Sequence, residues 1–498
     1  MSLSLRKAHD PLVLAIDIGS TASRSQLFDA TGTPLRGTRQ RVPHAFTTAP
    51  DGTSVIDPDQ VLRDISSMID GVLASAKSGG PVAGVAMDTF ASSVVGVDDK
   101  GAPLTPCYTY ADARPAAQVA QLRQEQDEAA IQQRTGTRFG SGYLPARLRW
   151  FRAEQKDVAD RVHRWLSLGE YVYAHLLGQY AASYSTAAWT GLLDRAAGTW
   201  DAELIQASGG RVEQFSPLHD TSEPLKGAGT PAAKRWPALA RARWFPAVTD
   251  GYASNVGSGA TDSTTIALSA ATSGALRVLV EQVPETVPSG LWCYRVSKRR
   301  SLLGGALNDV GRVATWLQER LRLPRVGALD APLRAPPIAG TPAVLPFLTG
   351  ERSPGWAASA RAAFADVTAA TDALGLWRGA MEGVALRYAL IAQQLATVAP
   401  QADRIIASGG VAETWPGWLQ VVADALGRPV TGLAERRSTL HGTALVALEV
   451  LAPKVERATV KLGETFSPIA EHAPYYRDAL AQQQKLYARL VGDEMGRE

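Results

Sequence analysis

The sequence predicts an α/β fold arranged as two domains. A length of 498 residues exceeds what one ordinary hydrophobic core accommodates. Short apolar strands alternate with amphipathic helical stretches in both halves. The opening order of strand, small polar turn and strand also returns after residue 264. We place one domain at residues 11–248, a second at 249–455, and a C-terminal extension at 456–498 whose helix packs on the body.

The first strand runs into a cluster of small polar residues. Leu12–Ile16 is apolar, and Asp17 is followed by Gly19, Ser20 and Thr21 before a second short strand. Glycine lets backbone N–H groups approach a phosphate closely, and the two hydroxyls add donors. Asp17 is suited to hold Mg²⁺ through water. The alternative is an ordinary β-hairpin turn without a ligand.

The second half contains two further glycine turns of this kind. They are Ala271–Gly274, between two strands, and Ala407–Gly410, between a strand and a helix. Neither a GxxxxGK[ST] loop nor a GxGxxG fingerprint occurs in the chain. Three such turns spread over two halves favour a clamp around a polyphosphate over three unrelated turns.

Asp250 lies at the entry to the second half, in the segment VTDGYASNVGSGA. An Asp-Gly pair is often only a turn. Between two phosphate-holding halves, however, a carboxylate is the group that accepts the proton of an attacking hydroxyl. We therefore take Asp250 as the candidate general base.

The net charge, the cysteine content and the hydropathy pattern exclude several classes of function. A net charge of +3 gives no reason to expect a nucleic-acid partner. Two cysteines, Cys107 and Cys293, form neither a disulfide framework nor a zinc motif, which favours a reducing compartment. No stretch reaches the roughly 18 uncharged apolar residues of a membrane span, and the first ten residues lack a signal peptide's apolar segment. We expect a soluble, cytoplasmic protein without a membrane partner.

Five segments, in this order, resemble the motifs of the FGGY carbohydrate kinases, a family of the actin-like ATPase superfamily. They match a first phosphate motif, a catalytic-aspartate motif, a second phosphate motif, a C-terminal signature and an adenosine motif. The segments read AIDIGSTASRSQLFD, TDGYASNVGSGA, AATSGALR, LPFLTGERSPGWAASARAAFADVT and SGGVAETWPGWLQVVADALGRPV. The resemblance spans about Leu12 to Leu490. It implies two RNase H-like domains with ATP and a sugar in the cleft between them.

The resemblance also implies ATP and Mg²⁺ as cofactors, and roles for single residues. Asp250 would be the base, and Asp17 and Asp250 would face the metal ion. The residues near the phosphates would be Gly19, Ser20, Thr21, Arg24, Thr272, Ser273, Gly274 and Gly311. Those near the adenosine would be Gly409, Gly410 and Glu413. Those facing the sugar would be Ala91, Ser92 and Tyr143.

Within the family, the sequence is most similar to gluconate kinases, chiefly through residues 165–194. We expect phosphorylation of a hydroxyl of a small sugar, polyol or sugar acid, with gluconate favoured and xylulose, ribulose or glycerol as the alternative. Many relatives carry a Met-His or Trp-His pair where Ala91 and Ser92 stand, which leaves the sugar open. Three arginines, each with a surface ion pair as the alternative, are candidates to pair a substrate carboxylate: Arg114, Arg138 and Arg147.

Two other functions stay open at this point. One is a sugar-independent actin-like ATPase, and the other is a non-catalytic sugar sensor. The oligomeric state is open as well, with a homodimer as one option.

Overall fold

The chain divides into two compact units in the computed structural model, which describes residues 2–76, 81–434 and 438–492. Unit 1 comprises Met1–Gly257, Cys293–Ser301 and Arg437–Thr459. Unit 2 comprises Ser258–Trp292, Leu302–Arg436 and Val460–Glu498. The sequence-based division differs, because residues 249–257, 293–301 and 438–455, assigned above to the second domain, pack in unit 1.

The strands are short and numerous. In chain order they are β1 (Leu12–Ile18), β2 (Ala22–Phe28), β3 (Gln40–Pro43), β4 (Thr47–Thr48), β5 (Ser54–Ile56), β6 (Val82–Thr89), β7 (Val95–Val97), β8 (Cys107–Tyr108), β9 (Arg164–Leu166), β10 (Ala182–Ser183), β11 (Leu193–Asp194), β12 (Thr199–Trp200), β13 (Leu218–His219), β14 (Leu225–Lys226), β15 (Arg243–Trp244), β16 (Val248–Thr249), β17 (Thr265–Ala270), β18 (Gly274–Val280), β19 (Trp292–Arg295), β20 (Ser301–Leu307), β21 (Ala343–Leu345), β22 (Ala363–Ala365), β23 (Arg404–Ser408), β24 (Val430–Leu433) and β25 (Leu462–Phe466).

The α-helices vary in length from five to 26 residues. In chain order they are α1 (Pro58–Ser75), α2 (Ala116–Glu125), α3 (Glu128–Thr135), α4 (Leu144–Glu154), α5 (Lys156–Arg161), α6 (Leu168–Leu177), α7 (Tyr184–Ala188), α8 (Ala202–Ala207), α9 (Pro231–Arg235), α10 (Asp250–Gly257), α11 (Gly311–Arg320), α12 (Asp330–Arg334), α13 (Ala373–Val398), α14 (Gly410–Thr414), α15 (Trp418–Leu426), α16 (Ser438–Leu451) and α17 (Ala473–Leu490).

The main sheet of unit 1 has the strand order β14-β15-β6-β1-β2-β3, with β16 also paired to β6. Strands β1, β2 and β3 are antiparallel neighbours, whereas β6 runs parallel to β1 and β16 runs parallel to β6. All seven residues of β1 are buried, as an apolar central strand requires. The carboxyl ends of β1, β6 and β16 therefore lie side by side.

Helix α1 shows how local sequence sets an element of this unit. Asp57 caps it by accepting from the Asp59 amide at 2.9 Å, and Pro58 occupies the first turn. The apolar stripe that the sequence predicts is buried against the sheet: Val61, Ile65, Met68, Ile69 and Val72.

The main sheet of unit 2 contains the strand order β20-β18-β17-β23-β24-β25. Strand β17 is antiparallel to β18 and parallel to β23, which is parallel to β24. The central strand thus has an antiparallel hairpin on one side and parallel strands on the other, as in unit 1. The strand, turn and strand order that returns after residue 264 thus belongs to the same arrangement of strands in both sheets.

Two glycines allow close packing of α10 against α16 in unit 1. A Cβ atom added to Gly442 would lie 1.8 Å from the Ala253 carbonyl oxygen. One added to Gly257 would lie 1.7 Å from the Ser438 carbonyl oxygen. A larger residue at either position would require a backbone shift. These two glycines therefore determine how closely the helix that begins at Asp250 packs against α16.

None of the helices in residues 2–76, 81–434 and 438–492 combines the length and apolar character needed to cross a membrane.

Candidate active site

Three aspartates converge at the carboxyl ends of neighbouring strands in unit 1. Asp17 on β1 is the register partner of Asp88 on β6. Val248 on β16 pairs with Asp88, and Asp250 follows two residues later as the first residue of α10. Because parallel strands end at the same edge of a sheet, the topology brings the three carboxylates together. Asp88 has no counterpart among the sequence-predicted site residues.

Arginines continue this row across the next two strands. Arg24 on β2 is the register partner of Asp17, and its Nη1 lies 2.9 Å from the Asp17 Oδ2. Arg41 on β3 is in turn the register partner of Arg24. Register partners project to the same face of a sheet, so two like charges stand directly opposite one another. Such a pair is destabilising unless an anion lies nearby.

A cavity of about 310 Å³ opens at this row of charges. Its lining combines one carboxylate, three guanidinium groups and a hydroxyl: Asp17, Arg24, Arg39, Arg41, Thr439 and Leu440. The excess of positive charge suits the oxygens of a phosphate group.

The two buried carboxylates differ from ordinary surface aspartates. Burial, together with the charges of Asp17 and Asp250, raises the pKa of Asp88 well above its usual value. Burial also raises the pKa of Asp17, against the opposing effect of Arg24. Thr443 on α16 donates its hydroxyl to Asp88 Oδ2 at 2.5 Å. A cation bound here would stabilise the charged forms of both carboxylates.

The turn between β1 and β2 carries the predicted phosphate residues. Gly19 and Ser20 are partly buried and Thr21 is exposed. The His44 imidazole Nε2 lies 2.7 Å from the Gly19 carbonyl oxygen, and the His44 amide donates to the Thr21 carbonyl at 3.1 Å. His44 therefore tethers both sides of the turn.

The predicted sugar-facing residues are brought together in unit 1. Ser92 has a left-handed backbone, with φ of 54°, and donates its hydroxyl to the Trp189 carbonyl at 2.8 Å. Ala91, beside it, is partly buried. The Tyr143 hydroxyl lies 2.5 Å from that of Tyr294. The indole of Trp189 stacks on the Tyr294 ring with centroids 3.6 Å apart.

This aromatic cluster, Trp189, Tyr294 and Tyr143, lies next to the candidate base. A methyl group added at Gly251 would lie 3.3 Å from the Trp189 indole. Asp250 immediately precedes Gly251 and is partly buried, and its Oδ1 accepts from the Gly251 amide at 2.7 Å. Neither Trp189 nor Tyr294 is among the sequence-predicted site residues.

The glycine turns predicted in the second half meet in unit 2. The amide of Gly311 donates to the Ala271 carbonyl at 2.8 Å, and those of Val310 and Arg312 both donate to the Thr272 carbonyl at 3.1 Å. The turn at Thr272 and Ser273 is solvent-exposed, whereas Gly274 is buried at the start of β18. The start of α11 is thereby fixed against this turn.

The third glycine turn, Ala407–Gly410, packs against the residue that precedes the Ala271–Gly274 turn. Gly409 has φ of +107°, a conformation reserved for glycine, and an added Cβ would lie 2.4 Å from the Ala270 carbonyl oxygen. Gly410 faces open space, with no atom within 4 Å of such a Cβ. Glu413 is exposed on α14, where its amide donates to the Gly409 carbonyl at 3.0 Å.

The aspartates of unit 1 can supply some of the ligands of a Mg²⁺ ion but not its complete coordination sphere. Mg²⁺ is usually bound by one or two carboxylates together with substrate phosphates and water. Among the described residues, no group of three or more acidic, histidine or cysteine side chains is arranged to hold a metal ion. One oxygen of Asp88, Oδ1, is buried and finds no hydrogen-bond partner in the described part of the chain. The donor set therefore fits a partly hydrated ion.

The sheets of both units have the strand order of an RNase H-like fold, which defines the class as an α/β protein of the actin-like ATPase superfamily. The models of the N-terminal and C-terminal domains of the FGGY family of carbohydrate kinases match residues 12–257 and 267–449. The chain belongs to the FGGY family of carbohydrate kinases.

Individual relatives are distant but cover nearly the whole chain. A gluconokinase of Bacillus subtilis (strain 168) is 25% identical over 486 residues, 93% of each chain. The crystal structure of a gluconate kinase from Lactobacillus acidophilus is 23% identical, with a TM-score of 0.88 and coverage of 96% and 98%. That of a xylulose kinase from Rhodospirillum rubrum is 24% identical, with a TM-score of 0.89 and coverage of 96% and 99%. The predicted family and fold class are confirmed.

Proposed function

We propose that this protein is an ATP-dependent kinase that phosphorylates a hydroxyl of a small sugar, polyol or sugar acid, with gluconate as the favoured acceptor. The order of charges along one edge of the unit 1 sheet is the observation that carries this proposal. It runs from Asp250 through Asp88 and Asp17 to Arg24 and Arg41 across five neighbouring strands.

This order of charges supports a placement of the acceptor alcohol and of the ATP phosphates along the row. The aromatic cluster adjoins Asp250, so the alcohol is placed at this end of the row. The arginines and their cavity lie at the other end, so the phosphates of ATP are placed on that side, with the terminal phosphorus towards Asp250. The turn of Gly19, Ser20 and Thr21 adds phosphate donors in unit 1. In unit 2 the nucleotide contacts are assigned to Thr272, Ser273, Gly274 and Gly311, with Gly409, Gly410 and Glu413 towards the adenosine.

Asp250 acts as the general base in this proposal. Its carboxylate accepts the hydroxyl proton while the alcohol oxygen bonds to the terminal phosphorus, and the bond from phosphorus to the oxygen of ADP breaks. Arg24 and Arg41 balance the negative charge on the transferred group. A base of this kind contributes about 10²–10⁴-fold to the rate.

Mg²⁺ would be held by Asp17 through water, with Asp250 and Asp88 facing it, and would supply charge neutralisation for the phosphate oxygens.

The gluconate assignment is supported by sequence similarity more than by geometry. Arg114 pairs with Asp112 at 2.6 Å, and Arg138 lies 3.7 Å from Glu128. Arg147 is buried and donates to backbone carbonyls. The three arginines considered for a substrate carboxylate thus have other partners, and the surface position expected as the alternative is wrong for Arg147. Xylulose, ribulose and glycerol remain alternative acceptors.

The two free cysteines, Cys107 and Cys293, are buried and unpaired, which supports a reducing, cytoplasmic location as part of this proposal.

A substrate comparison tests the proposal. ADP release is measured with Mg²⁺ and ATP across gluconate, xylulose, ribulose and glycerol, and without any acceptor. We expect acceptor-dependent ADP release, with kcat/KM for gluconate at least tenfold above the others. A preference for xylulose or glycerol overturns the gluconate assignment alone. ADP release that ignores all acceptors indicates an ATPase, and acceptor binding without ADP release indicates a sensor. Either result overturns the kinase proposal.

Asp250→Asn tests the base directly. Turnover should fall at least 100-fold, whereas ADP binding measured by calorimetry should change less than twofold. Asp64→Asn, at a partly exposed position on α1 that accepts from the Gln60 side chain, is the control and should behave as the unmodified protein does. Near-normal turnover of Asp250→Asn removes this residue from its proposed role.

A further inference from the structure

Arg147 is a buried cation that ties three separate segments together. It lies on α4 with 2% of its surface exposed. Its Nε donates to the Ser141 carbonyl at 3.1 Å, one terminal nitrogen donates to the Ser92 carbonyl at 2.6 Å, and the other donates to the Thr109 carbonyl. These carbonyls come from three loops that are far apart in sequence.

Carbonyl oxygens hold this guanidinium; within the described residues no carboxylate forms an ion pair with it. Burial lowers the pKa of Arg147 to about 10, against the opposing charge of Asp112, so the group stays protonated at neutral pH. Desolvating a cation without a paired anion is costly. The planar guanidinium offsets that cost because its N–H groups donate hydrogen bonds to three backbone carbonyls at once.

One of the three backbone groups belongs to a strained residue. Ser92 has a left-handed φ of 54°, which is unfavourable for a residue with a Cβ atom. Ser92 is held from two sides: its carbonyl accepts from Arg147, and its hydroxyl donates to the Trp189 carbonyl. Trp189 in turn lies against Gly251, the residue after the candidate base.

The same helix also anchors the other side of the acceptor end. Tyr143 directly precedes α4, and the Arg147 amide donates to its carbonyl at 3.4 Å. The amide of Leu144 donates to the Thr190 carbonyl at 2.8 Å, next to Trp189. Arg147 therefore connects both groups that surround the acceptor end: Ser92 with Trp189, and the start of α4 with Tyr143.

We propose that Arg147 is a positioning residue for the acceptor. It holds the strained turn at Ser92, and through it Trp189, in the arrangement that presents the acceptor hydroxyl to Asp250. This inference rests on the proposed function for its kinetic consequence. It assigns Arg147 a role other than binding a substrate carboxylate.

Arg147→Lys keeps the positive charge but loses the planar set of N–H donors of the guanidinium. Arg149→Lys is the matched control. Arg149 lies on the same helix and donates to the Ala207 carbonyl at 2.9 Å, away from the turn at Ser92. We expect Arg147→Lys to raise the acceptor KM at least tenfold and to change the ATP KM less than twofold. A purely structural role would change both constants equally or neither, and either outcome overturns the proposal. Arg149→Lys should leave both constants unchanged.

The turn at Ser92 offers a rescue experiment. Glycine adopts φ of 54° without strain, whereas alanine keeps the strain; both lose the hydroxyl that donates to the Trp189 carbonyl. In the Arg147→Lys background, Ser92→Gly should recover part of the acceptor KM and Ser92→Ala should not. If Arg147→Lys fails to fold, the single variant Ser92→Ala carries the test: a threefold to tenfold rise in acceptor KM is expected, and an unchanged value overturns the proposal.

Hydrogen–deuterium exchange separates this inference from the proposed function. If the unmodified protein phosphorylates no acceptor, the proposed function fails. The positioning role then still predicts faster exchange in residues 89–94 and 186–191 of Arg147→Lys than in Arg149→Lys. Unchanged exchange in these segments, or a uniform increase over the whole of unit 1, overturns it.

Discussion

Thr443 donates its hydroxyl to the carboxylate of Asp88 at 2.5 Å, across a separation of 355 residues. Both side chains are buried, with 1% and 0% of their surfaces exposed. The contact joins α16 to the carboxyl end of β6 and gives a desolvated carboxylate one strong donor. It therefore connects the late part of the chain to the row of carboxylates in unit 1.

Removing this donor should destabilise the protein. Thr443→Val keeps the shape of the side chain but leaves the Asp88 Oδ2 without the hydroxyl. Loss of a buried hydrogen bond to a carboxylate costs about 1–3 kcal/mol. The free energy of unfolding, measured in urea, should fall by that amount. Thr443→Ser keeps the hydroxyl and should lose less. A larger loss in Thr443→Ser than in Thr443→Val would show that methyl packing, rather than the donor, is what Thr443 contributes.

Arg41 should contribute to nucleotide affinity more than to stability. It is exposed, and it stands opposite Arg24 in the cavity proposed for the phosphates of ATP. We expect Arg41→Ala to raise the ATP KM about threefold to tenfold, because one charge-assisted contact to phosphate is lost. The acceptor KM should stay within twofold.

Arg41→Lys should recover most of the ATP affinity, and Arg36→Ala provides an exposed control outside the cavity lining. An ATP KM that rises equally in Arg36→Ala and Arg41→Ala would point to general surface charge instead of a specific contact.

Gly442→Ala should disturb the packing of α10 on α16. The new methyl group would overlap the Ala253 carbonyl, so the helices must separate. Overpacking of this kind costs about 1–3 kcal/mol, and turnover should fall as well because α10 begins at Asp250. Gly327→Ala, where an added Cβ meets no atom within 4 Å, is the control. A thermal midpoint that is the same for both variants would contradict the close-packing argument.

The buried carboxyl of Glu170 should make stability depend on pH. Burial raises the pKa of Glu170 above its ordinary value, although hydrogen bonds from Ser167 oppose the shift. Since the native state then holds the proton more tightly than the unfolded chain, this contribution is fully present below the unfolded pKa of about 4.3. It is lost as pH rises through the folded pKa.

Glu170→Gln removes the titration while an amide oxygen still accepts from the Ser167 amide, a contact of 2.9 Å in the native helix cap. The variant should therefore gain stability relative to the unmodified protein between pH 4.5 and pH 7.5. Urea unfolding at three pH values measures the difference. Parallel curves for the two proteins would mean that Glu170 does not titrate in this range.

Much of the local structure can be predicted from the sequence because it depends on neighbours in the chain. The apolar run into Asp17 and the glycine after it require a buried strand and a tight turn whatever the rest of the fold does. The stripe of α1, from Val61 to Val72, follows from helical periodicity in the same way. Asp250 is recognisable because the residues around it form a motif.

Asp88 shows what such patterns leave out. Its neighbours Met87 and Thr89 read as ordinary strand residues, so nothing local distinguishes its carboxylate. Only the parallel pairing of β6 with β1 and β16 places it between Asp17 and Asp250. Tyr294 is a similar case, because it reaches Tyr143 from a segment 151 residues later.

The sequence by itself determined the α/β class, the positions of the glycine turns and the candidate base, since these follow from short-range periodicity and turn chemistry. Only the tertiary structure decided that Asp88 joins the carboxylates, that Arg147 is buried among carbonyls, and that Thr443 and Tyr294 belong to unit 1's site. The reason is physical: the energy of these contacts comes from strand pairing and burial between segments up to 355 residues apart in the chain, which no local pattern encodes.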